Sequence, residues 1–432
     1  MKTNASPPVH RWPVRITHWI NLFAMVCMFM SGWEIYNASP LFDFRFPPQM
    51  TLGGWLGGAI GWHLAVMWLL ALNAVCYLLW SLFSGHFRRD LLPLRADALR
   101  QDIWLAMTLR LRHRHGRYNA IQKLMYLGVL ALGLLLVLSG LAIWKPVQLQ
   151  GLVALFGGFD FARYVHFFAM AGIGLFVAIH VFMRATAPTL EPDHKKQLVN
   201  LQRRLMLRSG LTLGGIAMLT GCNLQDGDRV DKVLWAMSRW NDRVQAWLFS
   251  GQRLAQTYRP DQITHPFPFN AFYPEYNVPE IDLAGYRLEV AGKVEKKAPW
   301  TLEQLQRLPQ QSQITRLICI EGWSAIGQWG GVPLRTFLQH VGADLNAGYV
   351  GFKCADRYYA SLDMATALHP QTILALDFGG KALPADYGYP LRLRVPTKLG
   401  FKNAKHIAAI FVSDVNPGGY WEDQGYNWFS GI

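Results

Sequence analysis

Four histidines lie inside long apolar stretches of the sequence, where ionisable side chains are rare and usually functional. They are His18, His63, His166 and His180. His166 and His180 are 14 residues apart, which places them about 21 Å apart along a helix and within about 40° of the same face. One helix can therefore offer an imidazole to each of two stacked sites. Imidazole is a common ligand of haem iron, and two imidazoles on one iron leave no position for a substrate, which suits electron transfer.

The stretches that carry these histidines are long enough to cross a membrane, which requires about 20 apolar residues. They cover roughly 16–36, 55–83, 118–144 and 160–184. Basic residues concentrate before the first stretch, after the second and after the fourth; the connection 86–117 holds eight Arg against three Asp. Because positively charged connections remain in the cytoplasm, we predict a cytoplasmic N-terminus. His18 and His180 then lie towards the inner side of the membrane, and His63 and His166 towards the outer side.

Depth therefore pairs His18 with His180 and His63 with His166, which predicts two haem sites in a four-helix bundle. For one such histidine alone, a hydrogen bond between two helices would be the simpler interpretation. The matching depths of all four favour ligation. The other histidines of this half fall in basic connections or at helix ends and are interpreted as solvated: His10, His86, His113 and His115.

The order and spacing of the four histidines resemble the bacterial membrane cytochrome b family that includes the cytochrome subunits of hydrogenases and formate dehydrogenases. The resemblance covers about 10–187. It rests on R-I-T-H-W-I-N at 15–21, the His63 stretch, R-Y-V-H-F at 163–167 and A-I-H at 178–180. It implies two haems b and exchange of electrons with the quinone pool. Arg163 and Arg184 are then either partners of haem propionates or anchors at the membrane edge.

Composition divides the chain into two parts. The 432 residues are 51% hydrophobic with a net charge of +14, and the apolar residues concentrate before about residue 185. A basic chain can bind nucleic acid, but here the basic residues follow the membrane-protein pattern, so we predict no nucleic-acid partner. The five Cys show no spacing typical of zinc sites or disulfide frameworks. Cys27 and Cys76 lie in apolar runs and are interpreted as buried small hydrophobes.

A twin-arginine pair, Arg203 and Arg204, precedes a short Gly-rich apolar stretch at 209–225. It resembles an export signal for folded proteins placed within the chain; the alternative is a basic stop before a poor fifth membrane helix. L-T-G-C at 219–222 also resembles a lipoprotein processing site that ends in Cys222. Apolar residues at helical spacing follow at 229–249, which predicts an amphipathic helix on the outer membrane surface, in contact with lipid.

A second group of candidate functional residues surrounds Cys319, in the run T-R-L-I-C-I-E-G-W-S at 315–324. With W-G-G-V-P-L-R-T-F-L at 329–338, it resembles the sulfite-oxidase superfamily, and within it most closely the periplasmic methionine sulfoxide reductase family. The resemblance covers about 260–432 and implies a Mo-molybdopterin cofactor whose metal is bound by the Cys319 thiolate, with Glu321 and Trp323 matching the family motif. A soft thiolate suits a metal already held by dithiolene sulfur. For a lone Cys, a buried structural role is the alternative.

Two further motifs favour the cofactor interpretation. F-N-A-F-Y-P-E-Y at 269–276 resembles the family loop over pterin and metal, so Asn270 matches an active-site residue and Tyr273 a cofactor contact. The run 390–405 offers cations and a glycine of the kind that a cofactor phosphate requires: Arg392, Lys398, Gly400, Lys402 and Lys405. Tyr387 stands where many members of the superfamily have His. Other residues either border the pocket or lie at the surface: Asp356, Arg357 and His369.

The predicted fold is a membrane all-α four-helix haem bundle plus one short extra membrane helix, followed by an α+β molybdopterin-binding domain of sulfite-oxidase type. The predicted domains are the cytochrome at 1–190, a linker with the export-like and interfacial helices at 191–254, and the oxidoreductase at 255–432. We predict a quinol-linked enzyme of the bacterial inner membrane, with a periplasmic catalytic domain that reduces an S-oxide or N-oxide. The alternatives are a dehydrogenase, for example of sulfite, that feeds quinone, and an electron-transfer subunit for another protein.

Overall fold

The structure is a computed structural model that describes residues 12–108, 118–186 and 228–432. The chain divides into two compact units, one of residues 1–140 and 161–234 and the other of residues 141–160 and 235–432. The predicted twin-arginine motif, the apolar stretch at 209–225 and Cys222 lie outside the described residues. The same holds for His10, His113 and His115.

Long apolar helices make up the described part of the first unit. The helices are α1 (Trp12–Ala38), α2 (Leu56–Phe83), α3 (Ala96–Met107), α4 (Ala120–Trp144) and α6 (Phe159–Thr186), and the short helix α5 (Gln150–Leu155) between α4 and α6 belongs to the second unit. Helices α1, α2, α4 and α6 are long and apolar enough to span a membrane, which confirms the four predicted spans. Large apolar side chains such as Leu72 and Leu134 are exposed along them, as expected of helices that are apolar on every side and face lipid.

Polar side chains fix the relative position of α1 and α2. The side-chain amide of Asn73 is buried and donates to the backbone carbonyl of Thr17 at 2.9 Å and to Oδ1 of Asn21 at 2.6 Å. In lipid such a donor needs a partner, because water is absent. This contact therefore sets which part of α2 lies beside His18.

The second unit contains two sheets. The strands are β1 (Glu289–Gly292), β2 (Gln311–Ile318), β3 (Ser324–Pro333), β4 (Tyr349–Cys354), β5 (Tyr359–Asp363), β6 (Ile373–Phe378), β7 (Lys381–Ala382), β8 (Arg392–Arg394) and β9 (Ile407–Ser413). One sheet has the order β1-β9-β4-β5 and the other β2-β3-β6-β7, with β8 also paired to β6. Only the β1–β9 pair among these is parallel. The predicted α+β fold is confirmed.

Four helices accompany these strands: α7 (Asp228–Leu248), α8 (Leu302–Gln306), α9 (Leu334–His340) and α10 (Met364–Ala367). Helix α8 begins with a capping box, in which Thr301 and Gln304 satisfy each other's backbone N–H groups. Helix α7 covers the predicted amphipathic segment, and its buried side is polar: Asn241 and Gln245 are 2% and 4% exposed. Several of its large apolar side chains are exposed, with Trp247 at 82%.

The hydrophobic core lies on both faces of the five-stranded sheet. Ile373 and Leu374 are neighbours on β6, so their side chains point to opposite faces. Leu374 joins a large cluster shared with the other sheet, to which Cys354 also belongs, and Ile373 joins a smaller cluster that includes Leu317 and Trp329. Cys76, predicted to be buried, is exposed on α2, because it lies on a face that no described helix covers.

Candidate functional site

The His63 and His166 side chains are held by serines from neighbouring helices. Ser31 Oγ of α1 lies 3.1 Å from His63 Nδ1, and Ser139 Oγ of α4 lies 2.9 Å from His166 Nδ1. The two rings are close enough to interact electrostatically. The structure therefore brings together the pair predicted for the outer side of the membrane.

The His18 and His180 side chains also meet. Their ring centres are 6.4 Å apart, with planes inclined at 59°. A metal bound by both rings needs about 2 Å on each side to reach a nitrogen, and this separation leaves that room. Trp19 packs edge-on against His18, and Phe176 stacks on His180. The arrangement fits an iron porphyrin held between two imidazoles.

His86 is not solvated as the sequence predicted. It is 8% exposed, and its Nδ1 lies 2.6 Å from Asp90 Oδ2. A turn of π-helix at Phe87–Leu91 follows α2 and places Asp90 one turn further along, while Trp80 packs against the ring at 5.2 Å. The prediction was wrong because this local geometry cannot be inferred from a basic connection.

Arg163 donates to the backbone carbonyl of Ser39 at 2.6 Å. This contact links the start of α6 to the end of α1. Arg163 therefore acts as a structural anchor at the ends of two spans. The side chain of Arg184 lies outside the described residues.

In the second unit, Cys319 occupies the turn between β2 and β3. Its N–H donates to the Trp323 carbonyl at 2.9 Å, and its own carbonyl accepts from Gly322 at 3.0 Å. Gly322 has φ +103°, a conformation that side chains other than glycine rarely adopt. The hairpin therefore presents the thiol at its tip, with Glu321 Oε2 accepting from the Trp323 indole at 2.8 Å.

Burial raises the pKa of the Cys319 thiol to about 12, with the Glu321 carboxylate adding to the effect. Without a cation nearby, this position therefore disfavours the thiolate. A bound metal reverses that preference, because a coordinating thiol loses its proton. Tyr426, which sequence reasoning missed, interacts electrostatically with Cys319 and Glu321.

Gly400 lies directly against the Cys319 turn. A Cβ at this glycine would stand 3.4 Å from the Ile318 carbonyl oxygen and 3.5 Å from the Cys319 Cα. The short 3-10 helix Gly400–Lys402 thus approaches the turn closely. Of the glycine and four cations predicted to act together, Gly400 is the one that the structure places at the thiol.

Arg392 and Lys405 form a buried cationic cluster. The Arg392 guanidinium stacks over Trp329 at 4.7 Å and donates to the Tyr387 carbonyl at 2.9 Å, while Lys405 Nζ lies 4.5 Å from the Phe269 ring centre. Burial lowers the pKa of Arg392 to about 9 and that of Lys405 to about 6, and the charge of Arg392 adds to the effect on Lys405.

Buried polar atoms in this region lack partners within the part of the chain that the structure describes. They are Nε and Nη2 of Arg392 and Oδ1 of Asn270. Buried cations and unpaired donors are costly unless an anion or acceptor compensates them. These residues therefore fit a phosphate-bearing, hydrogen-bonding cofactor such as molybdopterin.

Tyr273 and His406 meet beside this cluster. The Tyr273 hydroxyl lies 3.1 Å from His406 Nε2, and His406 Nδ1 lies 2.6 Å from the Tyr389 carbonyl. His406 has φ +51° and donates its backbone N–H to Gly388, the residue after Tyr387. Sequence reasoning missed His406, although it follows the predicted Lys405 directly.

Lys398 and Lys402 take different roles. Lys398 Nζ lies 3.2 Å from Asp363, and Lys402 pairs with Glu422. Both ammonium groups are about 1% exposed, and both are paired inside the protein. The structure therefore separates these two lysines from Arg392 and Lys405, although all four belong to one basic run.

The remaining candidates differ in location. His369 is 1% exposed and its two ring nitrogens lie 3.1 Å from the Arg253 carbonyl and the Gln371 N–H, so it is a structural residue. Burial raises the pKa of Asp356, which interacts with Tyr273 and Lys405, so Asp356 borders the cationic cluster. Arg357 has φ +67°. Among the described residues, no three His, Cys, Asp or Glu side chains converge as a metal site.

Two family models match the chain. Residues 9–196 match the prokaryotic cytochrome b561 model, and residues 275–421 match the oxidoreductase molybdopterin binding domain. A putative protein-methionine-sulfoxide reductase subunit YedZ1 of Azospira oryzae is 60% identical over 229 residues, which are 53% of this chain and 87% of the relative. The chain belongs to the YedZ1 family.

The YedZ1-type cytochrome is fused in this chain to a molybdopterin-binding domain of sulfite-oxidase type. The protein-methionine-sulfoxide reductase catalytic subunit MsrP of Gluconobacter oxydans is 34% identical over 188 residues, 37% of this chain and 59% of the relative. MsrP of Xanthomonas campestris is 33% identical over 191 residues, 38% of this chain and 59% of the relative. This YedZ1-family chain is therefore a membrane-associated molybdopterin oxidoreductase with a haem b cytochrome domain.

Proposed function

We propose that the protein is a quinol-linked reductase of S-oxides, and that its two histidine pairs hold two haems b. The observation that carries the proposal is the presence, in one chain, of paired imidazoles in four membrane-capable helices and of a catalytic unit that holds both the Cys319 turn and a buried cationic cluster with unpartnered donors. A single polypeptide thus contains an electron-accepting membrane domain and a catalytic domain.

The membrane unit supplies electron carriers. His18 and His180 would hold the iron of the inner haem, and His63 and His166 the iron of the outer haem, so that two imidazoles would bind each iron. Such irons exchange electrons without binding substrate. Quinol would be oxidised to quinone and release two electrons and two protons.

The second unit holds the cofactor and positions the substrate. Cys319 would bind the metal, Gly400 permits the close approach of backbone to the turn, and Arg392 with Lys405 would bind the cofactor phosphate. Asn270 and Tyr273 would contact the pterin, with Glu321 and Trp323 supporting the Cys319 turn. The molybdenum centre supplies oxygen-atom transfer when bound, and the reduction of an S-oxide to a sulfide consumes two electrons and two protons and releases water.

The reducing direction rests on two observations. Asn270 and Glu321 match the reductase motif, and relatives of both halves carry names that contain methionine-sulfoxide reductase. The substrate class that we propose is therefore a sulfoxide of the methionine type, free or in a peptide.

The catalytic unit is proposed to lie outside the cytoplasmic membrane, with the N-terminus inside. Replacing Arg203 and Arg204 with Lys should then retain the catalytic unit in the cytoplasm while the four spans insert and bind haem. Protease added to spheroplasts should cleave the wild-type catalytic unit and spare the variant. Equal cleavage of both would show that the twin arginines do not direct export.

The central experiment follows haem absorbance in the purified holoenzyme. After anaerobic reduction with a short-chain quinol, methionine sulfoxide should reoxidise the haems in the wild type. Cys319→Ala should abolish this reoxidation while reduction by quinol persists, because haem and metal lie in separate units. Cys354→Ala is the matched control, since it removes the other described buried thiol of the catalytic unit and should leave reoxidation intact.

Two outcomes would overturn the proposal. Reduction of the oxidised haems by sulfite, with no reoxidation by any S-oxide or N-oxide, would indicate a dehydrogenase. Retained turnover in Cys319→Ala would remove Cys319 as the metal ligand.

A further inference from the structure

The two histidines of the outer pair rest on the same structural motif. Ser31 is followed by Gly32 on α1, and Ser139 is followed by Gly140 on α4. Each serine contacts the Nδ1 of one histidine on a neighbouring helix, His63 for Ser31 and His166 for Ser139. Both serines are 0% exposed, so water cannot replace either contact.

The direction of each hydrogen bond follows from counting protons. A serine hydroxyl carries one hydrogen. Ser31 Oγ donates it to the Cys27 carbonyl at 2.7 Å, and Ser139 Oγ donates to the Leu135 carbonyl at 2.7 Å. Each serine is therefore the acceptor towards its histidine, and the histidine Nδ1 must carry a hydrogen.

A backbone carbonyl reinforces this assignment at each ring. The Met28 carbonyl lies within hydrogen-bonding reach of His63, and the Leu136 carbonyl within reach of His166. A carbonyl accepts and cannot donate, so it is compatible with the Nδ1–H tautomer that the serines require. Nε2 then keeps the free lone pair that a metal requires.

The glycines let the rings approach the helices. A Cβ on Gly32 would stand 3.5 Å from His63 Cε1, and a Cβ on Gly140 would stand 3.2 Å from His166 Cε1. The first distance is ordinary van der Waals contact, whereas the second requires the ring to move by a few tenths of an ångström. The motif is thus tighter at His166 than at His63.

We infer that Ser31 and Ser139 are positioning residues that fix the Nδ1–H tautomer of both outer haem ligands and lower the reduction potential of that haem. The inference rests on the proposed function, in which His63 and His166 bind iron. A ligand imidazole that donates from Nδ1 becomes a stronger electron donor at Nε2, and a stronger donor stabilises ferric iron. Hydrogen bonding around the axial ligand is one of the protein's means of setting a haem potential.

The inner pair provides the internal comparison. Its rings pack against Trp19 and Phe176, whereas both serine contacts are made to the outer pair. The two haems of one molecule therefore report separately on the serine contacts, and a change confined to one of them identifies a local effect.

The test is a redox titration of the full-length holoenzyme by haem absorbance, together with the haem content per chain. Ser31→Ala and Ser139→Ala should each raise the midpoint potential of one haem, the double variant should raise it further, and the second haem should stay unchanged. Ser31→Thr and Ser139→Thr keep the hydroxyl and its donation to the preceding turn, so they should restore the original potential. Ser81→Ala is the matched control, because it removes a buried hydroxyl of α2 about 27 Å along the helix from His63.

Each outcome has a defined meaning. If the double Ala variant holds two haems at unchanged potentials, or both potentials shift equally, the inference is wrong. If an Ala variant loses the outer haem, restoration by Thr supports the inference and failure of Thr to restore it overturns it. Failure of the proposed function is seen separately, because His63→Ala would then retain two haems.

Discussion

The Tyr273 hydroxyl and His406 Nε2 lie 3.1 Å apart, and this contact joins the loop proposed to cover the pterin to the residue directly before β9. His406 Nδ1 faces the Tyr389 carbonyl, so Nδ1 is the donor and Nε2 accepts from the tyrosine. His406 also bonds through its backbone to Gly388. A histidine therefore stands beside the position where Tyr387 replaces the histidine of many superfamily members.

We expect His406→Ala to lower molybdenum and pterin retention by roughly 10–100-fold, the usual effect of losing a group that orients a metal-site residue. His406→Asn tolerates the positive φ at this position and separates the loss of the ring from backbone strain. Tyr273→Phe removes the same hydrogen bond from the other side and should weaken retention in the same direction. Metal analysis and fluorescence of the oxidised pterin measure the effect; full cofactor content in both His406 variants would contradict it.

Because Lys405 is buried in the cationic cluster, the folding stability of the cofactor-free protein should depend on pH. Burial lowers the pKa of Lys405 to about 6 from the ordinary value of 10.5. Between these values the unfolded chain binds one proton more than the folded chain, so stability rises with pH across this window. We expect the melting temperature of the cofactor-free protein to increase from pH 6 to pH 9, and Lys405→Met to flatten the increase.

The holoenzyme should behave differently, because an anionic cofactor stabilises the charged lysine. Thermal unfolding of wild type and Lys405→Met, each with and without cofactor, checks this point. An equal slope in all four samples would show that other groups dominate the titration.

Removing one partner of the Lys402–Glu422 pair should cause a large loss of folding stability, and removing both partners should restore most of it. Both side chains are buried, at 1% and 6% exposure, so Lys402→Met leaves an unpaired buried carboxylate and should cost about 3–5 kcal/mol. The double variant Lys402→Met with Glu422→Leu should recover most of this loss. Chemical denaturation measures the free energies of unfolding, and Lys293→Met, which breaks exposed contacts with Asp344 and Asp414, should leave the free energy of unfolding nearly unchanged.

The same variants decide whether Lys402 binds the cofactor phosphate. If the double variant is stable and retains molybdopterin, Lys402 serves the fold. If it is stable and lacks the cofactor, the ammonium reaches the phosphate in the holoenzyme, as the basic run predicted.

Haem content tests the assignment of the outer pair. His63→Ala or His166→Ala should reduce the content from two haems to one per chain, because either variant removes one of the two proposed protein ligands of the outer iron. His86→Ala is the matched control: it removes a buried membrane-unit histidine that pairs with Asp90, and it should leave both haems. Loss of haem in His86→Ala with retention in His63→Ala would reverse the assignment.

Features that repeat along the chain were predictable from the sequence. The four spans follow from apolar length, and the His166–His180 spacing follows from helix geometry, so the pairing of inner and outer histidines could be proposed from the sequence alone. Contacts between helices were not predictable. Ser31 and Ser139 have no sequence signal that directs them to His63 and His166, because that relation depends on which helices are neighbours.

The basic run shows the same distinction within the catalytic unit. Gly400 was expected near the cofactor and lies against Cys319. Lys398 and Lys402 were expected there too, yet Asp363 and Glu422 pair with them. The chain turns sharply between β8 and the 3-10 helix at Gly400–Lys402, so side chains close in sequence point to different surroundings. The roles of Lys398 and Lys402 depend on acidic residues from distant parts of the chain. The spacing of the basic residues in sequence does not show which acidic residues will pair with them.

The polar side of α7 is buried and much of its aromatic surface is exposed, which has a practical consequence for anyone who produces the catalytic part alone. This helix buries Asn241 and Gln245 and exposes Trp240 and Trp247. A fragment that keeps the helix therefore has an exposed apolar surface and should require detergent to stay monodisperse. A fragment that omits it loses Asp242, which accepts the backbone N–H groups of Trp428 and Phe429, and the C-terminal segment would lose its attachment. Recombinant work on this domain should therefore keep the helix and replace its outward tryptophans with polar residues.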